Sequence, residues 1–478
     1  RTHGTSNGLD LGRINWGNYV LVVIDESHNF RNGADYTGEE NDKENRYLRL
    51  MNRVIRAGVK TKVLMLSATP VNNKFIDLRN QLALAYEGHA EEINEKLNTK
   101  SDIDTIFREA QKVFNAWSKL PVEERTTQAL LQQLDFDFFE LLDSVTIARS
   151  RKHIQRYYDT TAIGSFPERK APISVRPKLT DLTSAINYTE VFEQLNLLNL
   201  KIYTPTEYIL PSKIAKYIDP DSKQAKNLSQ TGRERGIQRL MSINLLKRME
   251  SSVHSFRMTV ERIRDYIADT VKMIDDFEHG TTGSTVKEMR DLSNSEFDLD
   301  DQNMDIFNIG KKFRIDLRDM DFISWRRELE ADLEVLLIIM VSDITPEHDF
   351  KLCELQRIIA EKQQNPINPG NKKIIIFTAF SDTAEYLYEN ISRYALQRFG
   401  VNTALITGSI DGRTTIPKFP VDMNTILTCF SPISKERDLV MKKNPGDIDI
   451  LIATDCISEG QNLQDCDYLI NYDIHWNP

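Results

Sequence analysis

The chain has 478 residues, a formal net charge of −10 and four cysteines, Cys353, Cys429, Cys456 and Cys466, without C-x-x-C spacing. The length suits about three domains of ordinary size, and no run is apolar for long enough to cross a bilayer. The cysteines suggest neither a zinc site nor a disulfide framework, and the acidic sum speaks only mildly against nucleic-acid binding, which depends on local positive charge.

Val20-Leu21-Val22-Val23-Ile24 is a run of apolar β-formers that ends in Asp25-Glu26-Ser27-His28. It reads as a buried parallel strand delivering two carboxylates to its carboxyl end, where open α/β sheets bind ligands. One carboxylate there can hold a hydrated divalent cation while its neighbour orients and deprotonates an attacking water. Asp25 is assigned to the metal, Mg2+ held through water, and Glu26 to the water. Helices are expected near 43–57 and 73–86. Between them Val63-Leu64-Met65-Leu66 forms a second strand running into Ser67-Ala68-Thr69-Pro70, whose small hydroxyls can bond both a carboxylate and a moving loop.

Residues 87–148 show helical periodicity, with Ile106, Val113, Phe114 and Trp117 on one stripe and Phe136, Phe138, Phe139, Leu141 and Leu142 near the end. These aromatics recur beside aliphatics, which is the pattern of a core rather than of a base-stacking platform. Arg149, Arg151, Lys152 and Arg156 form a basic cluster, and Arg233, Arg235, Arg239, Lys247 and Arg248 a second one along a helical pattern. Either can be a phosphate-binding surface or a solvated helix face. Residues 182–200, 236–277 and 322–341 read as long amphipathic helices, and 279–305, poor in aliphatics, as a mobile acidic loop.

Beyond Asn368-Pro369-Gly370-Asn371, strands at 374–377, 403–406, 448–454 and 468–472 alternate with helical segments, the signature of a parallel sheet. The first three run into Thr378, Thr407-Gly408-Ser409 and Asp455. After Asp455 come Ser458-Glu459-Gly460-Gln461-Asn462-Leu463-Gln464 and then Tyr472-Asp473 and His475-Trp476-Asn477-Pro478.

Asp25-Glu26-Ser27-His28 with Arg31-Asn32, Ser67-Ala68-Thr69-Pro70, and the run from Ala453-Thr454-Asp455 to Trp476-Asn477-Pro478 resemble motifs II, III and V of superfamily 2 helicases. Among these they look most like Swi/Snf-type helicase-like ATPases. Ile147 to Lys152 resembles the basic segment leaving the first lobe, Leu246 to Ser252 the helical block before the second lobe, and Lys372 to Thr378 its opening strand. The resemblance implies an α/β fold with two RecA-like parallel-sheet lobes, both incomplete, joined by a helical insertion. The lobes would occupy 1–148 and 366–478, with the insertion at 149–365. It implies ATP and Mg2+ as cofactors and movement on nucleic acid, double-stranded DNA above all, with the insertion open to a protein partner and no membrane role.

On that resemblance Asp25 and Glu26 supply the chemistry. His28, Ser67, Ala68 and Thr69, with Asp455, Glu459 and Gly460 of the second lobe, sense the nucleotide, and Arg149, Arg151, Lys152, Gly408, Asn462 and Gln464 touch nucleic acid. A strand-separating DNA or RNA helicase of another branch, or an ATP-inactive scaffold, is the alternative. The phosphate-cradling G-x-x-x-x-G-K-[ST] loop is absent, since Gly310-Lys311-Lys312 lacks the first glycine and the hydroxyl, and so is the arginine-rich motif VI. Gln230 to Arg235 resembles an arginine block with the wrong spacing. The chain therefore reads as the interior of a larger motor, cytoplasmic and bacterial, and is expected to hydrolyse ATP poorly by itself.

Overall fold

The computed structural model describes residues 5–6, 9–31, 46–67, 70, 74–86, 94–95, 97, 99–159, 161, 164, 166–183, 185–217, 230–280, 315–340, 344–408, 410–441, 444–457 and 461–474. The chain divides into two compact units, Arg1–Pro172 and Ile173–Pro478.

In the first unit a short hairpin, β1 (Thr5–Ser6) and β2 (Leu9–Asp10), precedes β3 (Leu21–Ile24), which pairs in parallel with β4 (Lys62–Met65). Helix α1 (Arg46–Leu50) runs directly into a π-helical turn, Met51–Ile55, on the connection between them. A close approach of backbones sets the register. The Val59 N–H donates to Gly17 O at 3.0 Å, and Thr61 Oγ1 donates to Tyr19 O at 2.8 Å. A Cβ on Gly17 would lie 2.6 Å from Ala57 O, so only glycine fits at that crossing.

The expectation that β3 is buried needs correction. Ile24 is 7% exposed and packs with Tyr47, Met51, Ile55 and Leu84, but Leu21 and Val23 are 51% and 54% exposed. A continuous apolar run suggests burial on both faces, whereas here α1 and its π turn, together with the next helix, cover one face and the other stays open.

That next helix is α2 (Ile76–Ala85), followed by α3 (Ile103–Trp117), α4 (Thr127–Gln133), α5 (Phe136–Val145) and α6 (Arg151–Tyr157). The last four each start where a short polar side chain, Asp102, Thr126, Asp135 or Ser150, accepts a first-turn amide. Leu78, Leu82, Ile103, Ile106, Phe107, Ala110, Phe138 and Leu141 make a core shared by α2, α3 and α5, with Phe138 5.0 Å from Phe75 and 6.0 Å from Phe107, ring to ring. Phe136, expected in that core, is 72% exposed because it opens α5 on the outer side.

In the second unit, the single helix expected over 182–200 is instead α7 (Tyr188–Leu195), started by a capping box between Asn187 and Glu190. The chain then turns through Leu200, which has a left-handed φ of 50°. The helix expected over 236–277 is two helices, α8 (Gln230–Ser251) and α9 (Val253–Glu278), separated by Ser252 in an extended conformation. Its hydroxyl accepts the Ser255 N–H, a local bond that competes with the helix ladder and restarts it. With α10 (Phe322–Ile338) they enclose Leu245, Phe256, Val260, Ile267, Trp325, Leu329 and Leu336. Asp332 pins this core, accepting the N–H groups of Asn199 at 2.8 Å and Lys201 at 2.9 Å. Residues 281–305 of the expected loop lie outside the described residues.

After α11 (Phe350–Gln364) come β5 (Ile374–Phe377), α12 (Ser381–Phe399), β6 (Thr403–Ile406), β7 (Arg413–Thr414), α13 (Met423–Phe430), α14 (Arg437–Val440), β8 (Ile450–Ala453) and β9 (Leu469–Asn471). The sheet order is β7-β6-β8-β5-β9, with only β7 antiparallel. Alternate residues serve opposite faces: Ile374, Ile376, Leu405, Ile450 and Ile452 pack with α11 and α12, and Ile375, Ala404, Ile406, Leu451 and Ala453 with α13. This mixed, mainly parallel arrangement fits a RecA-like fold.

Where α9 meets α12, His254 stacks on Tyr386, with centroids 5.0 Å apart and planes 6° apart. Burial, and then Arg257, hold its pKa below the usual histidine value, against the pull of Asp382, Glu389 and Glu261. A pKa lowered by folding stabilises the fold above the unfolded value of about 6.5 and loses that contribution as pH falls through the folded value. Thermal melts of the chain from pH 8 to 5 should therefore show a loss of stability below about pH 6.5 that shrinks in His254→Phe. An unchanged profile in that variant would contradict the assignment.

Candidate functional site

Parallel pairing sets the carboxyl ends of β3 and β4 side by side. The Leu66 N–H donates to Ile24 O at 2.8 Å and the Ser27 N–H to Leu66 O at 2.9 Å, so the ladder runs on into both following loops. Asp25 Oδ1 accepts the Glu26 N–H at 2.9 Å, and Asn29 Nδ2 donates to Glu26 O at 3.0 Å. Glu26 has a left-handed φ of 48°. This conformation costs a non-glycine residue about 1–2 kcal/mol, and such strain collects at functional sites.

The strained turn aims Glu26 and His28 at one place. His28 is only 6% exposed, and its Nδ1 lies 3.3 Å from Glu26 Oε2 and 3.3 Å from Ser67 Oγ. Glu26 and His28, from one short run, thus form a contact chain with Ser67, which is distant in sequence, beside Asp25. Ala68 and Thr69 lie outside the described residues.

Gln81 of α2, not singled out from sequence, ties the two loops together. It is 2% exposed, accepts Ser27 Oγ at 3.0 Å and donates from Nε2 to Pro70 O at 2.6 Å. Its neighbour Asn80 donates to Arg31 O at 2.7 Å. The available signal was a polar residue on the buried stripe of Leu78 and Leu82.

In the second unit the four parallel strands end on one edge, which carries Thr378, Thr407-Gly408, Thr454-Asp455 and Tyr472-Asp473. Gly408 is exposed there, and Asp455 opens a 3-10 turn, Asp455–Ile457. Asn462 and Gln464 are exposed farther on, and Asn462 Nδ2 donates to Ser434 O at 3.1 Å. Nearby, burial would raise the Asp465 pKa, but hydrogen bonds from Ser434 and the Ile433 N–H outweigh it and hold the carboxyl below its usual range. Glu459 and Gly460 lie outside the described residues.

Asp473, named in the sequence within the Tyr472-Asp473 pair but given no role, joins two strand ends by accepting Thr378 Oγ1 at 2.7 Å and the Ala379 N–H. The helical block 246–252 docks beside it. Arg248 is fully buried, donating from Nη1 to Asp382 Oδ2 at 2.7 Å and to Ser255 Oγ at 2.9 Å, with its guanidinium 4.5 Å from the Phe380 ring centroid. The hydroxyls of Ser251 and Ser252 meet Thr383 Oγ1 at 2.7 and 2.9 Å. Lys351 Nζ donates to Ser251 O at 3.0 Å and lies 4.3 Å from the Tyr472 ring centroid. Of the two sequence-read basic clusters, this one is partly structural, since Arg248 is buried and Arg235 pairs with Glu207 at 2.7 Å.

Arg149, Arg151 and Lys152, in the first unit, are exposed at the start of α6.

Residues 355–478 match the helicase conserved C-terminal domain family. The uncharacterized ATP-dependent helicase YqhH of Bacillus subtilis is 30% identical over 106 residues, which are 22% of this chain and 14% of that protein. The chain thus spans a small part of the curated relative it matches. The crystal structure of the Hef helicase domain of Pyrococcus furiosus aligns over 97% of this chain and 66% of that one, at 14% identity. Its TM-score of 0.29 is too low to speak for a shared architecture.

Proposed function

We propose that the chain is part of an ATP-dependent nucleic-acid motor of superfamily 2, of the Swi/Snf type, which couples ATP hydrolysis to movement on duplex DNA. The observation that carries the reading is the meeting of Glu26, His28 and Ser67 at the neighbouring ends of two parallel strands. The helicase C-terminal domain match at 355–478 supports it. Glu26 orients and deprotonates the attacking water, and His28 carries the state of that carboxylate to Ser67. Ala68 and Thr69, and in the second unit Asp455, Glu459 and Gly460, are assigned to sensing the nucleotide. Arg149, Arg151, Lys152, Gly408, Asn462 and Gln464 hold the DNA backbone, where no base reading is required.

Asp25 suits a hydrated Mg2+. It is exposed, and Oδ1 takes the Glu26 N–H while Oδ2 has no hydrogen bond among the described residues. Among those residues no cluster of three or more His, Cys, Asp or Glu is placed to hold a metal. The ion would therefore be completed by water and the nucleotide's phosphates, as magnesium prefers. When bound, it would neutralise charge on the transferring phosphoryl group.

Displacement assays on the full-length protein test the reading. ATP-dependent release of a triplex-forming oligonucleotide without unwinding of a tailed duplex is expected. Unwinding without triplex release would overturn duplex translocation in favour of a strand-separating helicase.

A further inference from the structure

We propose that the α6 segment of the first unit is a foothold for single-stranded nucleic acid, built from cations and clustered aromatic rings. The inference rests on the nucleic-acid reading above and refines it for this surface alone: the cations of α6 and its flank hold one unpaired strand, while the contacts proposed for Gly408, Asn462 and Gln464 remain those to the duplex backbone. Between Asp143 and Asp159 the sequence has four cations, Arg149, Arg151, Lys152 and Arg156, and no acid. All four are exposed, and none has a carboxylate within ion-pair distance among the described residues. Asp159, the nearest acid in sequence, is occupied by the Thr161 N–H at 2.9 Å. In a chain with a net charge of −10, four cations left unneutralised together favour a polyanion.

The rings decide which polyanion. Tyr157 and Tyr158 are 65% and 51% exposed, where a core aromatic would be covered. His153 is near both, with ring centroids 4.7 Å from Tyr157 and 6.1 Å from Tyr158, and its Nδ1 is buried without a hydrogen-bond partner among the described residues. The guanidinium of Arg149 sits 5.9 Å from the Tyr158 centroid while its Nε donates to the Tyr158 hydroxyl at 2.9 Å, and that of Arg156 sits 5.2 Å from the Tyr157 centroid. Arg151 adds a third such pair with Phe166 at 5.6 Å.

Duplex phosphates would use the cations and leave the rings idle, because paired bases keep their faces inside the stack. Unpaired bases expose those faces, and they stack on aromatic side chains and on arginine planes alike. Oriented rings beside phosphate-binding cations therefore fit a single strand, DNA or RNA.

The test is fluorescence anisotropy with the 478-residue chain against oligothymidylate and oligouridylate of about 20 nucleotides, longer than the roughly 4–16 nucleotides of such sites, and a duplex of equal length. Tyr157→Ala/Tyr158→Ala is expected to weaken single-strand binding by about tenfold or more and to leave duplex binding within a factor of about two. Tyr157→Phe/Tyr158→Phe, which keeps the rings, should bind single strands like wild type, separating stacking from any defect of folding. Arg151→Ala/Lys152→Ala should weaken both forms and flatten the salt dependence by a slope of roughly 1–2. Wild-type affinity of the alanine pair for single strands, or equal loss on duplex, overturns the foothold. A wild-type chain that binds duplex but neither single strand overturns the foothold alone, and one that binds nothing overturns the nucleic-acid reading with it.

Discussion

Glu26→Gln in the full-length protein is expected to lower ATP turnover by about 10²–10⁴-fold, the usual contribution of a positioned general base, with ATP affinity little changed. Gln keeps the shape of the side chain and an oxygen for His28, so the contact at 3.3 Å can persist while the proton acceptor is gone. The loss should therefore fall on kcat and spare KM, as for an interaction made only in the transition state. Equal turnover in the variant would remove Glu26 from the chemistry. A rise in KM with kcat intact would reassign it to nucleotide binding.

The second large effect concerns stability. Arg248→Ala should destabilise the second unit by about 3–5 kcal/mol, the range for breaking a buried ion pair from one side. Arg248 is completely enclosed, and its loss strips Asp382 of a 2.7 Å partner and Phe380 of its cation. Arg262, 3.7 Å from the same carboxylate, remains to moderate the effect, which favours the lower end of that range. Urea unfolding of the two chains measures the difference. The pair Arg248→Met/Asp382→Leu should recover much of it, because an apolar replacement leaves no buried charge behind. A change in Arg248→Ala within about 0.5 kcal/mol, typical of surface positions, would mean that the buried pair does not hold α8 and α9 to α12.

The second sheet is legible in the sequence nearly strand by strand, because Ile374–Phe377, Thr403–Ile406, Ile450–Ala453 and Leu469–Asn471 are short apolar runs with helical segments between them. The first sheet is less so. Val20 to Ile24 has the composition of a doubly covered strand, and composition cannot show that Leu21 and Val23 face outward. Helix lengths mislead for a similar reason: the apolar period continues past Ser252, while a single side-chain hydrogen bond to Ser255 N–H ends one helix and begins the next.

The candidate site divides in the same way. Asp25, Glu26, His28 and Ser67 can be chosen from local patterns at strand ends, and their proximity then follows from parallel pairing. Gln81 cannot, because it acts through Ser27, far away in sequence, and Asp473, though it stands at the end of an expected strand, shows its bond to Thr378 only in the fold. Arg248 stands in a recognisable block, yet its charge suggests a solvated or phosphate-binding face until burial against Asp382 is seen.

ATP turnover by the full-length protein, measured as duplex DNA is added, tests most directly whether the β3 and β4 ends form a hydrolytic centre. Turnover that rises with DNA and disappears in Asp25→Asn is the expected result. A protein that binds the duplex yet turns over no ATP, or an Asp25→Asn variant as fast as wild type, would contradict it.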